Sequence, residues 1–235
     1  MTDFRPPALT AAFAILAGAS QAQDSTRTSV DWPGYYRAAA PCRGCAGRDA
    51  WVRLNDAGGK LFVEIVESRA GARPHTRRFA GAGHWRKDGS IIDADGKSGR
   101  RSLFVGENFL VLAAPGTQPK GDGAPVLRKQ DVYAGSGQQL LVDAATLRKM
   151  DGDRRAFEGL INFEHRTEGG HKSLMARFLV ACGAKLYSMP RVGYFAGDFA
   201  TGKLIYSTPK NDNPPQPFAT GDDVMAQAAK AYCGG

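Results

Sequence analysis

The residues best placed for chemistry in this chain of 235 residues are two cysteines three positions apart, Cys42 and Cys45. A Cys-x-x-Cys pair exchanges disulfides when a helix N-terminus lowers the pKa of its first thiol, but this motif precedes a run typical of a β-strand. Haem attachment needs a histidine directly after the second cysteine, where Ala46 stands, and a structural zinc site needs a second ligand pair at a suitable spacing. We therefore expect a disulfide that fixes a turn, with a redox or metal-binding role for Cys42 and Cys45 as the alternative.

The other two cysteines, Cys182 and Cys233, complete a set of four. Four cysteines in an oxidising compartment most simply form two disulfides, for which three connectivities exist. We expect Cys42 to pair with Cys45 and Cys182 with Cys233; the alternatives link the two halves of the chain. In the chain-entropy model, the loop of roughly fifty residues closed by Cys182 and Cys233 contributes about 4 kcal/mol, and the short loop contributes much less.

No residue pattern in the chain is typical of an enzyme. The sequence contains neither a Gly-x-Ser-x-Gly elbow nor a glycine-rich phosphate loop, and nothing marks a general acid–base pair. The histidines lack the spacing of metal-ligand pairs; they are His75, His84, His165 and His171. The internal methionines are isolated from one another, which argues against a methionine-rich copper site; they are Met150, Met175, Met189 and Met225. The sequence predicts a protein without catalytic activity, cofactor or metal, apart from the alternative at Cys42 and Cys45.

Residues 1–22 are typical of an export signal. Arg5 precedes an apolar run, residues 8–17, which is too short to span a bilayer. Ser20-Gln21-Ala22 offers the small residues that a signal peptidase recognises, so we expect cleavage there and a linker over residues 23–30. Ala19 stands where a lipoprotein signal has its acylated cysteine. The sequence thus predicts a periplasmic or secreted protein without a lipid anchor or a transmembrane segment.

The chain is basic, with 31 lysines and arginines against 23 acidic residues and a formal net charge of +8. Such a surface suits phosphate on nucleic acid or lipopolysaccharide, anionic lipid, or an acidic protein. The cationic residues come as scattered pairs, which is typical of a solvated surface, and export argues against nucleic acid. We expect the partner to be an envelope protein or an anionic envelope component.

Residues 32–133 contain short apolar-alternating or β-branched runs separated by turns rich in Gly, Asp and Asn. Leu61, Val63 and Ile65 alternate with Glu64, which predicts one buried face and one wetter face. Sequential hairpins of this kind close most easily into a small antiparallel barrel, which removes exposed strand edges. We expect strands at residues 50–54, 61–66, 90–92, 102–105 and 109–113.

A stretch rich in Gly and Pro, residues 115–125, predicts a loop or boundary before a second group of strands. We expect those strands at residues 139–142, 154–163, 172–181, 191–195 and 204–207, with residues 208–216 irregular because of their prolines. The last segment predicts a helix, with Thr220 as its N-cap and Asp223 as the capping-box partner. The predicted fold class is mainly β: a small antiparallel barrel followed by an antiparallel sheet with a C-terminal helix.

Three segments of the N-terminal half form a combination that is more specific than the cysteine motif alone: Trp32-Pro33-Gly34-Tyr35, Pro41-Cys42-x-x-Cys45-x-Gly47 and Gly83-x-Trp85-x-x-Asp88-Gly89. The combination resembles the N-terminal domain of NlpE, the copper-resistance lipoprotein family. The resemblance implies a lipocalin-like β-barrel over residues 31–137, an oxidised Cys-x-x-Cys, and a role in envelope-stress signalling, surface sensing or copper tolerance. Ala19 departs from that family, because it replaces the lipidated cysteine.

The C-terminal half carries a second set of features: Val142-Asp143, the strand before Cys182, Tyr194-x-x-Gly197, Lys203-Leu204-Ile205-Tyr206-Ser207, and the terminal helix before Cys233. This set is similar to the surface-adhesin protein E domain. The resemblance implies, over residues 138–235, an antiparallel sheet whose C-terminal helix is held by a disulfide. In one branch of that family the domain binds host extracellular proteins, so the resemblance also implies such binding.

Together these observations predict a non-enzymatic envelope protein that binds a partner or senses stress. One alternative is an adhesin that binds an extracellular-matrix protein through the C-terminal domain. The other is a thiol-redox or copper-binding protein that uses Cys42 and Cys45.

Overall fold

The computed structural model describes residues 31–38, 48–69, 75–117, 126–208, 214–218 and 222–234. In these residues the chain forms a closed antiparallel barrel of eight strands, then an open antiparallel sheet, and an α-helix near the C-terminus. The predicted fold class is confirmed. The predicted signal peptide over residues 1–22 and linker over residues 23–30, as well as Cys42 and Cys45, lie outside the described residues.

The barrel strands follow one another around its circumference in chain order. They are β1 (Gly34–Ala38), β2 (Arg48–Ala57), β3 (Lys60–Arg69), β4 (His75–Trp85), β5 (Ile91–Gly96), β6 (Gly99–Gly106), β7 (Phe109–Ala113) and β8 (Val126–Lys129). β8 pairs antiparallel with β1, from Tyr36 opposite Lys129 to Ala38 opposite Leu127. Each barrel strand therefore has a neighbour on both sides, and closure removes the unpaired N–H and C=O groups of a free edge.

The barrel interior is filled by alternate residues of its strands. Leu61, Val63 and Ile65 of β3 lie in the core, while Phe62 between them is 46% exposed. Successive side chains of a strand point to opposite faces, so this pattern is the expected one for a wall with an apolar inside.

Aromatic side chains from the first residues of the barrel pack in its core. Trp32 packs edge-on against Trp85, with ring centroids 5.2 Å apart, and the buried Tyr36 hydroxyl donates a hydrogen bond to the Trp32 carbonyl oxygen at 2.5 Å. Burial raises the pKa of Tyr36, so this phenol stays a protonated donor. The contact between Trp32 and Trp85 joins two of the three segments that resemble the NlpE domain.

The second sheet is open and has the strand order β15-β14-β13-β12-β10-β9. Its strands are β9 (Asp131–Gly135), β10 (Gln138–Val142), β11 (Arg148–Lys149), β12 (Arg154–Phe163), β13 (Ser173–Ala181), β14 (Leu186–Phe195), β15 (Leu204–Thr208) and β16 (Gln216–Pro217). β11 pairs with β12, and β16 pairs with β14. The neighbouring strands of the sheet all run antiparallel.

The chain passes from barrel to sheet through one residue, Gln130, which is 4% exposed. Its backbone N–H donates to the Tyr35 carbonyl oxygen at 2.8 Å, so the joint is tied to β1. The sequence analysis places the boundary between residues 137 and 138, which is inside the turn that joins β9 to β10.

The C-terminal helix, α1 (Val224–Cys233), buries Val224, Met225, Ala228 and Ala229 against one face of the sheet. The assignment of Asp223 as a capping-box partner is wrong, because Asp223 itself is the N-cap residue. Its carboxylate accepts a hydrogen bond from the Met225 N–H at 2.7 Å. Thr220 lies outside the described residues.

The predicted disulfide between Cys182 and Cys233 is confirmed, with Cα atoms 5.6 Å apart. It ties the last residue of α1 to the residue that follows β13. The helix end is also held by Arg155, whose Nε donates to the Tyr232 carbonyl oxygen at 3.2 Å.

The barrel packs against the other face of the sheet. Trp51 and Val66 from the barrel wall form a buried cluster with Leu141 and Leu160, whereas the alternate residues of β10 and β12 lie in the core beneath α1. Phe199 extends this cluster, with its ring centroid 5.5 Å from that of Trp51. The sheet is therefore covered by α1 on one face and by the barrel on the other.

Candidate functional site

The two edges of the second sheet differ in what covers them. At the β9 edge, Gly135 lies so close to the chain before α1 that a Cβ atom would stand 1.9 Å from the Asp222 carbonyl oxygen. The Gln227 side-chain amide donates to the Ala134 carbonyl oxygen at 3.0 Å. At the opposite edge, β15 pairs with β14, and no other described strand pairs with its outer side.

β15 carries three consecutive large apolar residues in the open. Leu204, Ile205 and Tyr206 are 48%, 42% and 59% exposed, and they are the only adjacent members among the seven exposed large hydrophobic residues of the described chain. We call these three residues the β15 edge. Exposed apolar edge strands promote aggregation, and proteins usually protect them, so a bare one marks a candidate interaction site.

A row of rings holds Tyr206 in place. Tyr206 stacks on Tyr194 of β14 with ring centroids 6.1 Å apart, and Tyr194 contacts His171 at 4.7 Å. Burial raises the pKa of Tyr194 and lowers that of His171, so both rings are neutral near pH 7. Packed aromatic side chains supply contact area at low entropic cost.

Two arginines lie side by side near the end of β15, and we call them the arginine pair. Arg177 of β13 and Arg191 of β14 stand directly opposite each other, and both are exposed. Their neighbours Ala176 and Val192 lie in the core beneath α1, so the pair occupies the other face of the sheet. Neither arginine forms an ion pair with any residue that the structure describes.

The acidic residue in the loop before β15, Asp198, is already engaged. Its carboxylate lies 3.9 Å from the ammonium group of Lys172 and 3.9 Å from the guanidinium group of Arg78 in the barrel. Lys203, which directly precedes β15, is exposed. The surroundings of the β15 edge are therefore positively charged at both ends of the strand.

A second candidate place is a cleft of about 470 Å³ where β8 meets β9. Its charged groups mostly neutralise one another: Lys129 pairs with Asp31 at 2.8 Å and Arg128 with Asp143 at 3.5 Å. The buried Nε of Arg128 is left without a hydrogen-bond partner in the described chain. The paired charges fit a joint between two units better than a ligand site.

The residues that the sequence analysis selected for chemistry do not meet at the β15 edge. Cys182 and Cys233 are joined in the disulfide at the end of α1, and Cys42 and Cys45 lie outside the described residues. Among the residues of known position, no three His, Cys, Asp or Glu side chains are grouped to hold a metal ion. No helix in that part of the chain is long and apolar enough to cross a membrane.

Residues 204–207 are predicted as a strand, and residues 203–207 form part of a resemblance, but neither prediction selects them as a site. A signal was present, because Leu204, Ile205 and Tyr206 form an unbroken apolar run instead of an alternating one. Such a run is typical of a strand buried on both faces, and the sequence alone does not show that its side chains are exposed.

Comparison with known proteins places this edge inside a recognised domain. Residues 129–234 match the family model described as surface-adhesin protein E, which confirms the resemblance of the C-terminal half. The resemblance to NlpE stays a prediction.

Two further comparisons concern curated proteins and solved structures. No curated protein matches the chain. A solved structure described as a lipoprotein from Shewanella oneidensis is 28% identical, with 45% of this chain and 95% of that chain covered and a TM-score of 0.37.

Proposed function

We propose that this protein is a non-enzymatic binding protein of the bacterial cell envelope that recognises another protein through the β15 edge. The carrying observation is the exposed run Leu204, Ile205 and Tyr206 on an uncovered strand. It lies within the residues that match the surface-adhesin family model. We propose an exported protein that acts in the periplasm or at the cell surface.

The rest of the molecule supports this role as a scaffold. α1 covers one face of the sheet and the barrel covers the other, so the sheet offers its β15 edge as the apolar surface for contact. A rigid support lowers the entropy lost when a partner binds, because the contacting side chains are already ordered.

The test compares two edges of one sheet. Binding of the chain without residues 1–22 to immobilised extracellular-matrix proteins is measured at low and high salt. We expect Ile205→Ser and Tyr206→Ser to weaken binding by about tenfold or more, as substitutions at interaction hot spots do. Val132→Ser is the matched control, because Val132 on β9 is 41% exposed, close to the 42% of Ile205.

Equal effects of Ile205→Ser and Val132→Ser would overturn the assignment of the site. Absence of binding to every matrix protein would overturn the adhesin role and leave a periplasmic partner as the ligand class.

A second candidate role, stress sensing linked to copper tolerance, is favoured by one observation. The closed eight-stranded barrel is the architecture that the NlpE resemblance implies, and its Trp32–Trp85 contact comes from two of the shared segments. This role uses Cys42 and Cys45. Copper titration of the protein and of its Cys42→Ser/Cys45→Ser variant tests it: equal copper uptake by both proteins would exclude copper binding at this motif.

A further inference from the structure

We propose that the partner binds by strand addition: an extended segment with apolar residues on one face and acidic residues on the other pairs with the outer side of β15. The inference rests on the proposed role of the β15 edge, and it adds how the partner is held and what chemistry it has.

The backbone of β15 is paired with a described strand on one side only. β15 pairs with β14 on its inner side, from Leu204 opposite Phe195 to Thr208 opposite Val192, with a register shift at Ile205. An edge strand presents unpaired N–H and C=O groups on its outer side. The short strand β16 pairs with β14 and not with β15, so no described strand lies on that outer side. An added strand completes the ladder with main-chain hydrogen bonds.

The face beneath α1 selects apolar side chains. Tyr194 and Tyr206 stand opposite each other in register and are stacked, so they form a row that runs across the sheet to its edge. A residue on an added strand would lie about 5 Å from Tyr206 in that row. An aromatic or β-branched side chain there extends the stack and covers the exposed ring.

The opposite face selects carboxylates. Arg191 lies one residue beyond the last pair of β14 with β15, Val192 opposite Thr208, and it stands opposite Arg177. Glu158 of β12 stands opposite Arg177 on its other side, so Arg191 is the arginine left facing a like charge, which is destabilising in a sheet. An acidic side chain on the added segment relieves this repulsion and forms charge-assisted hydrogen bonds with the guanidinium groups.

A second copy of this chain fits the edge poorly. Antiparallel pairing of two β15 strands would bring Lys203 of one molecule to the Arg191 end of the other, and both side chains are exposed and positive. The two chains also carry a formal net charge of +8 each. Self-pairing therefore adds like-charge repulsion at both ends, whereas an acidic partner removes it.

The experiment uses the full chain and labelled peptides of about ten residues. One peptide alternates valine with glutamate, a second alternates valine with lysine, and a third is the glutamate peptide with its central amides N-methylated so that neither edge can donate. By fluorescence anisotropy at low salt, we expect the glutamate peptide to bind about tenfold tighter than either of the others.

Variants locate the contact. Arg191→Glu is expected to lower affinity for the glutamate peptide and raise affinity for the lysine peptide, whereas Lys149→Glu makes the same charge change on exposed β11 and should alter neither. Tyr206→Ser should weaken binding of the glutamate peptide as strongly as it weakens binding of the matrix protein.

Each failure points to a different part of the proposal. Equal binding of the N-methylated peptide would overturn strand addition, and equal binding of the lysine peptide would overturn the acidic partner. A dimer in sedimentation velocity that Ile205→Lys dissociates would make a second copy the occupant. If no peptide binds while matrix-protein binding still depends on Ile205, strand addition is wrong and the proposed function stands.

Discussion

The barrel and the C-terminal sheet differ in how their edge strands are paired. In the barrel, β8 pairs back onto β1, and closure gives every strand a neighbour on both sides. The sheet stays open: Ala134 and Gly135 of β9 contact α1 and the chain before it, whereas no described strand pairs with the outer side of β15. Because an uncovered edge is a hazard that a protein can close or cover, we interpret the contrast as a division between a scaffold and a binding surface.

The two regions also differ in how they are held together. The barrel core consists of side chains on strands that are adjacent in sequence. The sheet depends on α1, which is short and has marginal stability in isolation, and on a disulfide across a sequence separation of 51 residues. The sheet thus adds one long-range crosslink to a buried core of its own, whereas the barrel core is built between strands that follow one another in sequence.

The largest expected effect comes from removing that crosslink. Cys182→Ser/Cys233→Ser should destabilise the sheet by about 4 kcal/mol, because the denatured chain regains the entropy of a long loop. Region-resolved hydrogen exchange should show faster exchange in α1 and β9, with the barrel unchanged. The control is Cys42→Ser/Cys45→Ser, because the predicted Cys42–Cys45 disulfide would close a much shorter loop; a larger loss of stability in this variant would reverse the comparison.

The next effect tests whether the two regions unfold together. Trp51→Ala should cost about 3 kcal/mol, as for a large aromatic side chain removed from a core, because Trp51 is 2% exposed in the cluster between barrel and sheet. Thermal unfolding followed by calorimetry should separate into two transitions. Phe62→Ala, at a 46% exposed position on β3, should keep one transition; splitting in both variants would show that the cluster does not couple the regions.

A smaller effect is expected from opening the covered edge. Gly135→Ala should destabilise the sheet by about 2 kcal/mol, the range for inserting a group where packing leaves no space, since its Cβ would collide with the Asp222 carbonyl oxygen. Chemical denaturation followed by tyrosine fluorescence measures the loss. Ser136→Ala, which removes only a long hydrogen bond of 3.5 Å to the same oxygen, should be close to neutral, and an equal loss there would refute the collision.

The smallest effect is a difference in pH response. Burial holds the pKa of His171 below its ordinary value of 6.5, so the unfolded sheet binds more protons as the pH falls from 6.5 and the folded sheet loses stability in that window. The hydrogen bond from Arg86 lowers the pKa of Asp93 in the barrel below its ordinary 3.8. The barrel therefore keeps this contribution until the pH falls below 3.8.

Region-resolved hydrogen exchange between pH 7 and 5 measures this contrast, because it reports local opening of the barrel and of the sheet separately even when the two unfold together. His171→Gln should flatten the response of the sheet, whereas His165→Gln, at a position that is 89% exposed in its side chain, should not. Protection from exchange that is lost first in the barrel would contradict the assignment.

Much of the fold could be predicted from local pattern, and β4 shows where prediction stops. The inward positions of β4 include Gly81 and Gly83, so the apolar alternation that marks a strand is missing. Their small size is required by neighbouring strands: a Cβ on Gly81 would lie 2.2 Å from the Asp95 carbonyl oxygen, and one on Gly83 would meet Leu61 at 2.8 Å. Only the assembled barrel explains why this segment is a strand.

The division between the two regions was likewise beyond local pattern. Residues 131–135 resemble the preceding strands in composition, yet they pair with β10 in the second sheet. The chain changes partners at Gln130 because the barrel is complete once β8 meets β1, and a closed barrel has no edge to offer a ninth strand.

The sequence by itself determined the class of fold, the runs that become most of the strands, and the disulfide that holds α1, because periodicity, turn residues and cysteine number act locally or through chain entropy. It also contained the apolar run Leu204, Ile205 and Tyr206. Whether that run is buried or exposed depends on which strand or helix lies beside it. The tertiary structure decided this by packing α1 beside β9 and leaving β15 as the last described strand of the sheet, which is the edge where we propose that a partner binds.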